Sequence, residues 1–347
     1  MQVPKKTKDN ILDILSFSLS ISYNNIGDNM RISKLQKNLM KVCKLFQIGQ
    51  LEAYEKQLSH QNNVYKVTTD KGIYIIKEFT KDAISNYYYL NKRKKQIEIA
   101  EKLNRNKINC LIPKSLHKRH FLFVNQNYYL VYDYSKSKVI NQEDFTNDHL
   151  KALAVTLSSI HKLEMKIDIP CVYKKITINL NKLLREGKKH PEFHNYLKEN
   201  KDKLQEFIDR SNKDIKVMKK NLCISHNDYK ALNILWEGLT PTLIDFDASG
   251  LSNPSCCMAE SALNFSITKD GYDFDKYKTY IKSYINHYGP ILEHYRDVLY
   301  ASMNGKLQWY NYIISKKNFN DILGMTKDLI YYYDNIEKLY SIYKSVR

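Results

Sequence analysis

The stretch that decides the fold is Ser225-His226-Asn227-Asp228-Tyr229-Lys230-Ala231-Leu232-Asn233, followed by Leu243-Ile244-Asp245-Phe246-Asp247. Each segment lies at the end of a short apolar run, and Glu237-Gly238 marks a turn between the two segments. A strand, a loop and a second strand of this length bring Asp228, Asn233 and Asp245 close together. Two carboxylates and an amide oxygen are hard ligands, suited to Mg²⁺ that also binds phosphate oxygens.

This set of oxygen ligands suits phosphoryl transfer. That reaction needs metal charge on the β- and γ-phosphates and one carboxylate to orient the attacking hydroxyl. We expect Asp228 to be the catalytic base and Asn233 and Asp245 to hold the metal. Asp247 is either a further metal ligand or an acceptor that structures the loop. His226 is expected to hold the loop by hydrogen bonds and not to transfer protons.

The first third of the chain predicts an antiparallel sheet with one inserted helix. Strands at Val64–Thr69 and Ile73–Phe79 flank a hairpin turn at Asp70-Lys71-Gly72. A helix at Asn91–Asn104 follows. Two further strands are predicted at 121–124 and 128–134.

The two ends of the chain have helical periodicity. Residues 9–48 predict two helices separated by a turn at Asn24–Asn29. Beyond Ser135, helices are predicted at Asp148–Leu163, Asn200–Met218, Tyr277–Tyr288 and Ile330–Tyr343. We therefore expect an α+β protein in three parts. These are a helical extension at 1–45, a sheet-containing part at 46–134 and a mostly helical part at 135–347.

Composition excludes several classes of protein. With 55 Lys+Arg against 37 Asp+Glu, the chain of 347 residues carries a net charge of +18, yet its lysines are spread evenly and no nucleic-acid motif is present. We expect no nucleic-acid partner. Six scattered cysteines without a paired motif indicate reduced thiols in the cytoplasm and no transition-metal site. No apolar run reaches the ~18–20 residues of a membrane helix, so no membrane partner is expected, and the sequence leaves the oligomeric state open.

The motif His-x-Asp-x-x-x-x-Asn, followed by Ile-Asp-Phe-Asp, resembles the catalytic and metal loops of the aminoglycoside phosphotransferase and choline kinase-like family. This family is the small-molecule branch of the protein-kinase-like fold. The resemblance extends over roughly residues 45–310. It implies a two-lobed α+β fold with a small antiparallel-sheet N-lobe and a larger, mostly helical C-lobe. By this resemblance, the N-lobe at 46–134 would bind the nucleotide, and the C-lobe at 135–347 would carry the catalytic and metal loops and the acceptor site. The hinge would lie near Tyr134, with the nucleotide in the cleft.

The resemblance also assigns the residues that grip the nucleotide phosphates. Lys77, at the end of Ile-Tyr-Ile-Ile, is similar to the family's lysine on the α- and β-phosphates. Glu98 matches the helix carboxylate that pairs with that lysine, and Glu101 is the alternative partner.

Further nucleotide contacts are implied around the predicted sheet. Asn63 ends a segment similar to the nucleotide loop. Asp133 and Tyr134 lie in a segment similar to the strand that receives the adenine. The chain departs from the family pattern at 59–63, which has no glycine, and at Cys257, where members often carry an acid.

The resemblance implies a kinase that uses Mg²⁺ and ATP, with GTP as the alternative nucleotide. It would move the γ-phosphoryl group to the hydroxyl of a small acceptor, an aminoglycoside or related antibiotic, and so confer antibiotic resistance. Choline, homoserine-like and sugar acceptors stay open. A non-catalytic kinase-like binding protein of the spore-coat type is the alternative from another class. The net positive charge of the protein would repel a polycationic acceptor unless acidic side chains lie near the acceptor site. The candidates for these acids are Glu260, Asp270, Asp273 and Asp275.

Overall fold

The computed structural model describes residues 32–57, 59, 62–79 and 83–347. These residues form two compact units. The first unit runs to Glu101 and also contains Cys110–Lys138, and the second contains Lys102–Asn109 and Val139–Arg347. The predicted first N-terminal helix and the turn at Asn24–Asn29 lie outside the described residues.

A five-stranded antiparallel sheet forms the centre of the first unit, with the strand order β1-β2-β3-β5-β4. Its strands are β1 Leu51–Gln57, β2 Asn63–Thr69, β3 Gly72–Phe79, β4 Leu122–Val124 and β5 Asn127–Asp133. The predicted hairpin turn between β2 and β3 is confirmed, and Gly72 has a φ of 139°, which other residues rarely adopt. β1 was not predicted, because none of its side chains is fully buried and its sequence lacks a clean apolar alternation.

Two helices cover this sheet, one on each face. α1 (Lys34–Leu45) packs its apolar side against the face that carries Tyr129 and Val131. α2 (Tyr87–Arg105) follows β3 and begins one turn earlier than predicted. Ile97 of α2 packs with Leu130, on the other face. Successive residues of a strand point to opposite faces, so the two helices lie on opposite sides of the sheet.

The second unit is mainly helical. Its helices are α3 Asn147–Lys162, α4 Leu180–Glu186, α5 Pro191–Met218, α6 Pro254–Asn264, α7 Phe274–Tyr288, α8 Tyr295–Ser302, α9 Asn304–Lys316 and α10 Phe319–Val346. α5 begins well before the predicted start at Asn200. Proline is well tolerated in a first helical turn, and the buried Phe193 and Leu197 continue the apolar side of α5. None of the described helices combines the length and apolarity that crossing a membrane requires.

Short antiparallel strand pairs complete the second unit. They are β6 Cys223–Ser225 with β9 Gly250–Ser252, β7 Ile234–Glu237 with β8 Thr240–Leu243, and β10 Ile267–Thr268 with β11 Gly271–Tyr272. The turn predicted at Glu237-Gly238 joins β7 to β8.

A buried histidine connects the helical core to β6. His161 of α3 hydrogen-bonds through Nδ1 to the Tyr284 hydroxyl at 2.6 Å and through Nε2 to the Ser225 hydroxyl at 2.9 Å. Burial lowers the pKa of His161 to about 3, so the ring is neutral near pH 7. A neutral ring donates through one nitrogen and accepts through the other, so both bonds are satisfied. This contact fixes the strand from which the catalytic loop emerges.

Candidate active site

Two strand pairs hold the ends of the catalytic loop. β6 pairs with β9 and β7 pairs with β8, so the loop at 226–233 begins and ends on fixed backbone. The Ile244 N–H donates to the Asn233 carbonyl at 3.0 Å and extends the second pair by one bond. Asp245 follows Ile244 directly. The pairing therefore brings the segment that begins with Asp245 alongside Asn233, as the sequence predicts.

The expected catalytic base is held by two neighbours. The Asn233 side-chain amide donates to the Asp228 carbonyl at 2.8 Å and to its carboxylate Oδ2 at 2.7 Å. The Lys230 ammonium lies 2.9 Å from the other carboxylate oxygen, Oδ1. Charge-assisted hydrogen bonds of this kind are strong and directional, so they fix the plane of the carboxylate. No role was predicted for Lys230 from the sequence, although a lysine two residues after the expected base is a usable signal.

His226 joins the loop at 226–233 to the segment that leads into Asp245. Its Nε2–H donates to the Ile244 carbonyl at 2.9 Å, and its Nδ1 accepts from the Asp228 N–H at 3.3 Å. The ring is buried, and burial lowers its pKa. A neutral ring that donates at one nitrogen and accepts at the other has no free position for proton transfer. The hydrogen bonds expected of His226 are present, and its lack of a role in proton transfer stays a prediction.

The backbone at Asp245 is strained. Its φ of 60° and ψ of 71° lie in the left-handed region, which costs a residue with a Cβ roughly 1–2 kcal/mol. The bond from His226 to the preceding carbonyl and a bond from the Ser249 N–H to the Phe246 carbonyl at 3.0 Å hold both sides of this segment. Strain of this kind clusters at functional sites.

The oxygen atoms of Asn233, Asp245 and Asp247 are chemically suited to Mg²⁺. Asn233 commits its amide nitrogen to Asp228, which leaves the amide oxygen for a cation. Asp245 is exposed and Asp247 is half-buried. Within the described ranges, no group of three or more His, Cys, Asp and Glu side chains is placed to hold a metal ion. A site here would complete its ligand shell with phosphate and water oxygens, as Mg²⁺ sites in phosphoryl-transfer enzymes do.

Lys77 lies on the sheet of the first unit. It pairs with Val64 of β2 and Leu130 of β5, and its side chain is buried, with Nζ 5.3 Å from the centroid of the Phe79 ring. Because paired residues share a face of the sheet, Lys77 points to the side covered by α2, the helix that carries Glu98. The ion pair between Lys77 and Glu98 stays a prediction.

The residue next to Lys77 anchors a buried network that sequence reasoning missed. The Glu78 carboxylate is buried on the opposite face of the sheet and accepts four hydrogen bonds. They come from the side-chain amides of Asn63 at 3.0 Å and Asn127 at 2.8 Å, and from the hydroxyls of Tyr65 at 3.3 Å and Tyr129 at 2.5 Å. The Asn63 side-chain amide thus donates one hydrogen bond within the protein. Its contact with a nucleotide stays a prediction.

The same network reaches the N-terminal helix. Asn38 of α1 donates to the Tyr129 hydroxyl at 3.1 Å and accepts from the Asn125 amide at 2.7 Å. These residues come from distant parts of the sequence, so no local spacing reveals their contact. The one available signal is Glu78 itself, a second charged residue after Lys77 in a strand that is otherwise mainly apolar.

The two residues expected near the adenine lie at the end of β5. The Asp133 carboxylate accepts from the Lys114 ammonium at 2.9 Å, and its side chain is 70% exposed. Tyr134 is also exposed, and the Lys66 ammonium lies 5.0 Å from the centroid of its ring. The adenine contacts of both residues stay predictions.

The chain combines a unit built on a five-stranded antiparallel sheet with a mainly helical unit. The helical unit carries a His-x-Asp loop that is hydrogen-bonded to the chain just before Asp245. This combination is typical of the kinase-like phosphotransferases. Comparisons with known proteins agree with this class. The model of the phosphotransferase enzyme family (APH) matches residues 55–266, more than half of the chain, and the chain belongs to this family. No curated protein matches the chain in sequence.

Solved structures confirm the protein-kinase-like fold. The chain is similar to spectinomycin phosphotransferase APH(9)-Ia, solved with ADP and spectinomycin, with a TM-score of 0.63 and 14% identity over 89% of this chain and 98% of that one. It is similar to the amicoumacin kinase hAmiN, solved with AMP-PNP, Ca²⁺ and Ami, with a TM-score of 0.63 and 15% identity over 88% and 94%. The choline kinase of Cryptosporidium parvum Iowa II gives a TM-score of 0.51 and 13% identity over 87% and 95%.

Proposed function

We propose that the chain transfers the γ-phosphoryl group of ATP to a hydroxyl of a small-molecule acceptor, with GTP as the alternative donor. The observation that carries this proposal is the pair of bonds from Asn233 to Asp228. They fix a carboxylate next to an amide oxygen and the Asp245 segment, which is the oxygen set that phosphoryl transfer needs. The ADP in the spectinomycin phosphotransferase structure and the AMP-PNP in the amicoumacin kinase structure favour an adenine nucleotide.

In the proposed step, the Asp228 carboxylate accepts the proton of the acceptor hydroxyl. The acceptor oxygen forms a bond to the γ-phosphorus, the bond from that phosphorus to the bridging oxygen breaks, and the nucleoside diphosphate leaves. Lys230, on the other oxygen of Asp228, adds a positive charge next to the transferred group. Lys77 is assigned to the α- and β-phosphates, with Glu98 as its partner.

The metal in this proposal is Mg²⁺, held by Asn233, Asp245 and Asp247. When bound, it supplies positive charge to the phosphate oxygens. The strained backbone of Asp245 and the loop contact of His226 keep the protein side of this site in place before substrate arrives. Preorganisation of this kind lowers the reorganisation that the reaction requires.

An antibiotic is the acceptor class we favour. The two similar proteins with the higher TM-scores are named as a spectinomycin phosphotransferase and an amicoumacin kinase. Choline, homoserine-like and sugar acceptors are the alternatives. We also propose a cytoplasmic setting, since all six cysteines are free thiols.

A thermal-shift assay followed by an ADP-release screen tests the proposal. ATP with Mg²⁺ should raise the melting temperature, because a ligand of the native state stabilises it. A coupled assay over aminoglycosides, choline, sugars and amino-alcohols should then show acceptor-dependent ADP release, which Asp228→Asn lowers by about 10²- to 10⁴-fold. If ATP with Mg²⁺ causes no shift and no acceptor stimulates ADP release, the chain is instead a non-catalytic kinase-like binding protein.

A further inference from the structure

Lys77 and Glu78 are consecutive residues of β3, so their side chains point to opposite faces of the sheet. Lys77, the residue assigned to the nucleotide phosphates, is buried on the face covered by α2. Glu78 is buried on the face covered by α1, where it pairs with Tyr129. Contacts that hold the Glu78 side chain on one face therefore also hold the backbone from which Lys77 extends on the other.

The Glu78 carboxylate belongs to a row of side chains that crosses three strands. Asn63 of β2 and Tyr129 of β5 are its direct cross-strand partners. Both donate to the carboxylate, Asn63 at 3.0 Å and Tyr129 at 2.5 Å. Lys77 lies in the adjacent row of the same three strands. The hydrogen bonds of Glu78 thus tie β2, β3 and β5 together one residue away from Lys77.

Only neutral groups hold this carboxylate. Its four donors are amides and hydroxyls, and no cationic side chain among the described residues contacts it. A buried carboxylate without a cation beside it depends on its hydrogen bonds, because an unsatisfied buried acceptor costs free energy. Loss of one donor should therefore shift β3 or admit water at Glu78, and the shift would reach Lys77.

α1 holds the outer end of the row. The Tyr129 hydroxyl donates to Glu78 and accepts from the Asn38 amide at 3.1 Å. The Asn38 side chain is buried, and its oxygen accepts from the Asn125 amide at 2.7 Å. Hydrogen bonds in such a chain polarise one another, so the bond from Asn38 strengthens the one from Tyr129 to Glu78. A residue of α1 thus acts on Glu78 through one shared hydroxyl.

We propose that Asn38 and Tyr129 are positioning residues for Lys77, acting through Glu78, so that α1 supports the nucleotide-binding site of this chain. This inference rests on the proposed function, in which Lys77 contacts the α- and β-phosphates. α1 ends before residue 55, where the family match begins, so the matched segment does not contain this support. The attraction between an ammonium and a phosphate weakens as the two charges move apart, so a small displacement of Lys77 lowers the affinity for nucleotide.

Nucleotide affinity in folded variants tests the proposal. Asn38→Ala and Tyr129→Phe should each raise the Kd of a non-hydrolysable ATP analogue with Mg²⁺ by about 3- to 10-fold, the worth of one hydrogen bond. Calorimetric titration measures this at a temperature where urea denaturation shows each variant to be fully folded. In ADP-release kinetics, KM for ATP should rise by the same factor, while kcat and KM for the acceptor stay unchanged. A purely structural role would lower the unfolding midpoint and leave this KM-against-kcat split unmoved.

The same strand offers a matched control. Thr69 lies at the other end of β2, and its buried hydroxyl donates to the Ile48 carbonyl at 2.6 Å. Thr69→Val keeps the shape of the side chain and removes this bond far from Lys77 along the strand. The variant should unfold at a lower urea concentration than the parent but bind the ATP analogue with the same Kd.

A milder variant keeps the test decisive if Asn38→Ala does not fold. Asn125 has a left-handed φ of 47°, which glycine adopts readily. Asn125→Gly therefore keeps the backbone and removes only the amide that reaches Asn38. Because its bond to Glu78 is indirect, the Kd should rise by about 2- to 3-fold.

The outcomes separate this inference from the proposed function. If the parent does not bind the ATP analogue with Mg²⁺, the proposed function fails and the inference fails with it. If the parent binds it and the folded variants at positions 38, 125 and 129 bind it equally well, the inference alone is wrong. An equal loss of affinity in Thr69→Val would mean that any weakening of the sheet reduces binding, and this result would also overturn the proposal.

Discussion

In the second unit, the predicted catalytic base is hydrogen-bonded to a predicted metal ligand. In the first unit, two of the residues predicted to contact the nucleotide are bonded to residues for which the sequence suggested no role. Asn233 bonds to Asp228, whereas Asn63 bonds to Glu78 and Asp133 to Lys114. The comparison teaches that the hydrogen bonds of the proposed catalytic loop form within one stretch of chain, while those of the proposed nucleotide-binding residues join distant segments.

The largest expected effect tests the locally built site. Asp228→Asn keeps the shape of the side chain but removes its capacity to accept a proton. We expect kcat to fall by about 10²- to 10⁴-fold while nucleotide binding is retained. Coupled ADP release measures the first quantity, and calorimetric titration with a non-hydrolysable ATP analogue measures the second. Asp148→Asn, an exposed change on α3, is the control, and an unchanged kcat in Asp228→Asn would remove Asp228 from the reaction.

A second change separates the metal loop from the base. Asp245→Asn replaces a charged ligand by a neutral one, so the Mg²⁺ concentration for half-maximal nucleotide binding should rise by about 10- to 100-fold. Thermal shift with ATP at increasing Mg²⁺ measures it, and Asp275→Asn on α7 controls for the loss of one charge. An unaltered Mg²⁺ requirement would take Asp245 out of the metal site.

The pH dependence of stability tests how firmly His161 holds the core behind the catalytic loop. Its folded pKa of about 3 lies below the unfolded value of 6.5, so the neutral ring stabilises the protein above pH 6.5, and this contribution is lost as the pH falls towards 3. In His161→Gln this pH dependence is absent. The advantage of the parent in free energy of unfolding should therefore shrink below pH 6.5 by up to ~1.4 kcal/mol per pH unit. Urea denaturation between pH 8 and pH 5 measures the difference, and a constant gap would contradict the assignment.

The smallest expected effect concerns the network of the first unit. Tyr129→Phe removes one donor from the buried Glu78 carboxylate and should lower the free energy of unfolding by about 1–3 kcal/mol. Tyr74→Phe is the matched control, because the Tyr74 hydroxyl makes no hydrogen bond to a described residue, and it should stay within about 0.5 kcal/mol. Equal unfolding midpoints for the two variants would mean that the network contributes no measurable stability.

The sequence predicts the parts of this protein whose information is local. The hairpin at Asp70-Lys71-Gly72 follows from turn residues between two β-branched runs, and the pairing of Asn233 with Asp228 follows from their spacing in one loop. β1 escaped prediction because Leu51–Gln57 pairs through its backbone while most of its side chains remain accessible. The early start of α5 escaped because its first turns are polar, with Phe193 and Leu197 the main apolar anchors.

The tertiary contacts of the sites were beyond sequence reasoning for a physical reason. Glu78 meets Tyr129 and Asn127 only because β3 pairs with β5, and the strand register decides which residues face each other. Glu260 of α6 lies near Gly305 of α9, where a Cβ on the glycine would be 3.7 Å from the Glu260 Oε1, only because the two helices are close in the fold. Such proximities depend on packing across the fold, so residue spacing along the chain carries no record of them.

The position of α1 has a consequence for how this protein can be shortened or recombined. The family match begins at residue 55, yet Leu39, Val42, Cys43 and Phe46 are buried in the core of the sheet unit. A gene trimmed to the matched segment would encode a sheet with one apolar face exposed to water. An exposed apolar surface of that kind promotes aggregation. Chimeras with relatives should place their crossover before Ser33, so that the helix travels with its sheet.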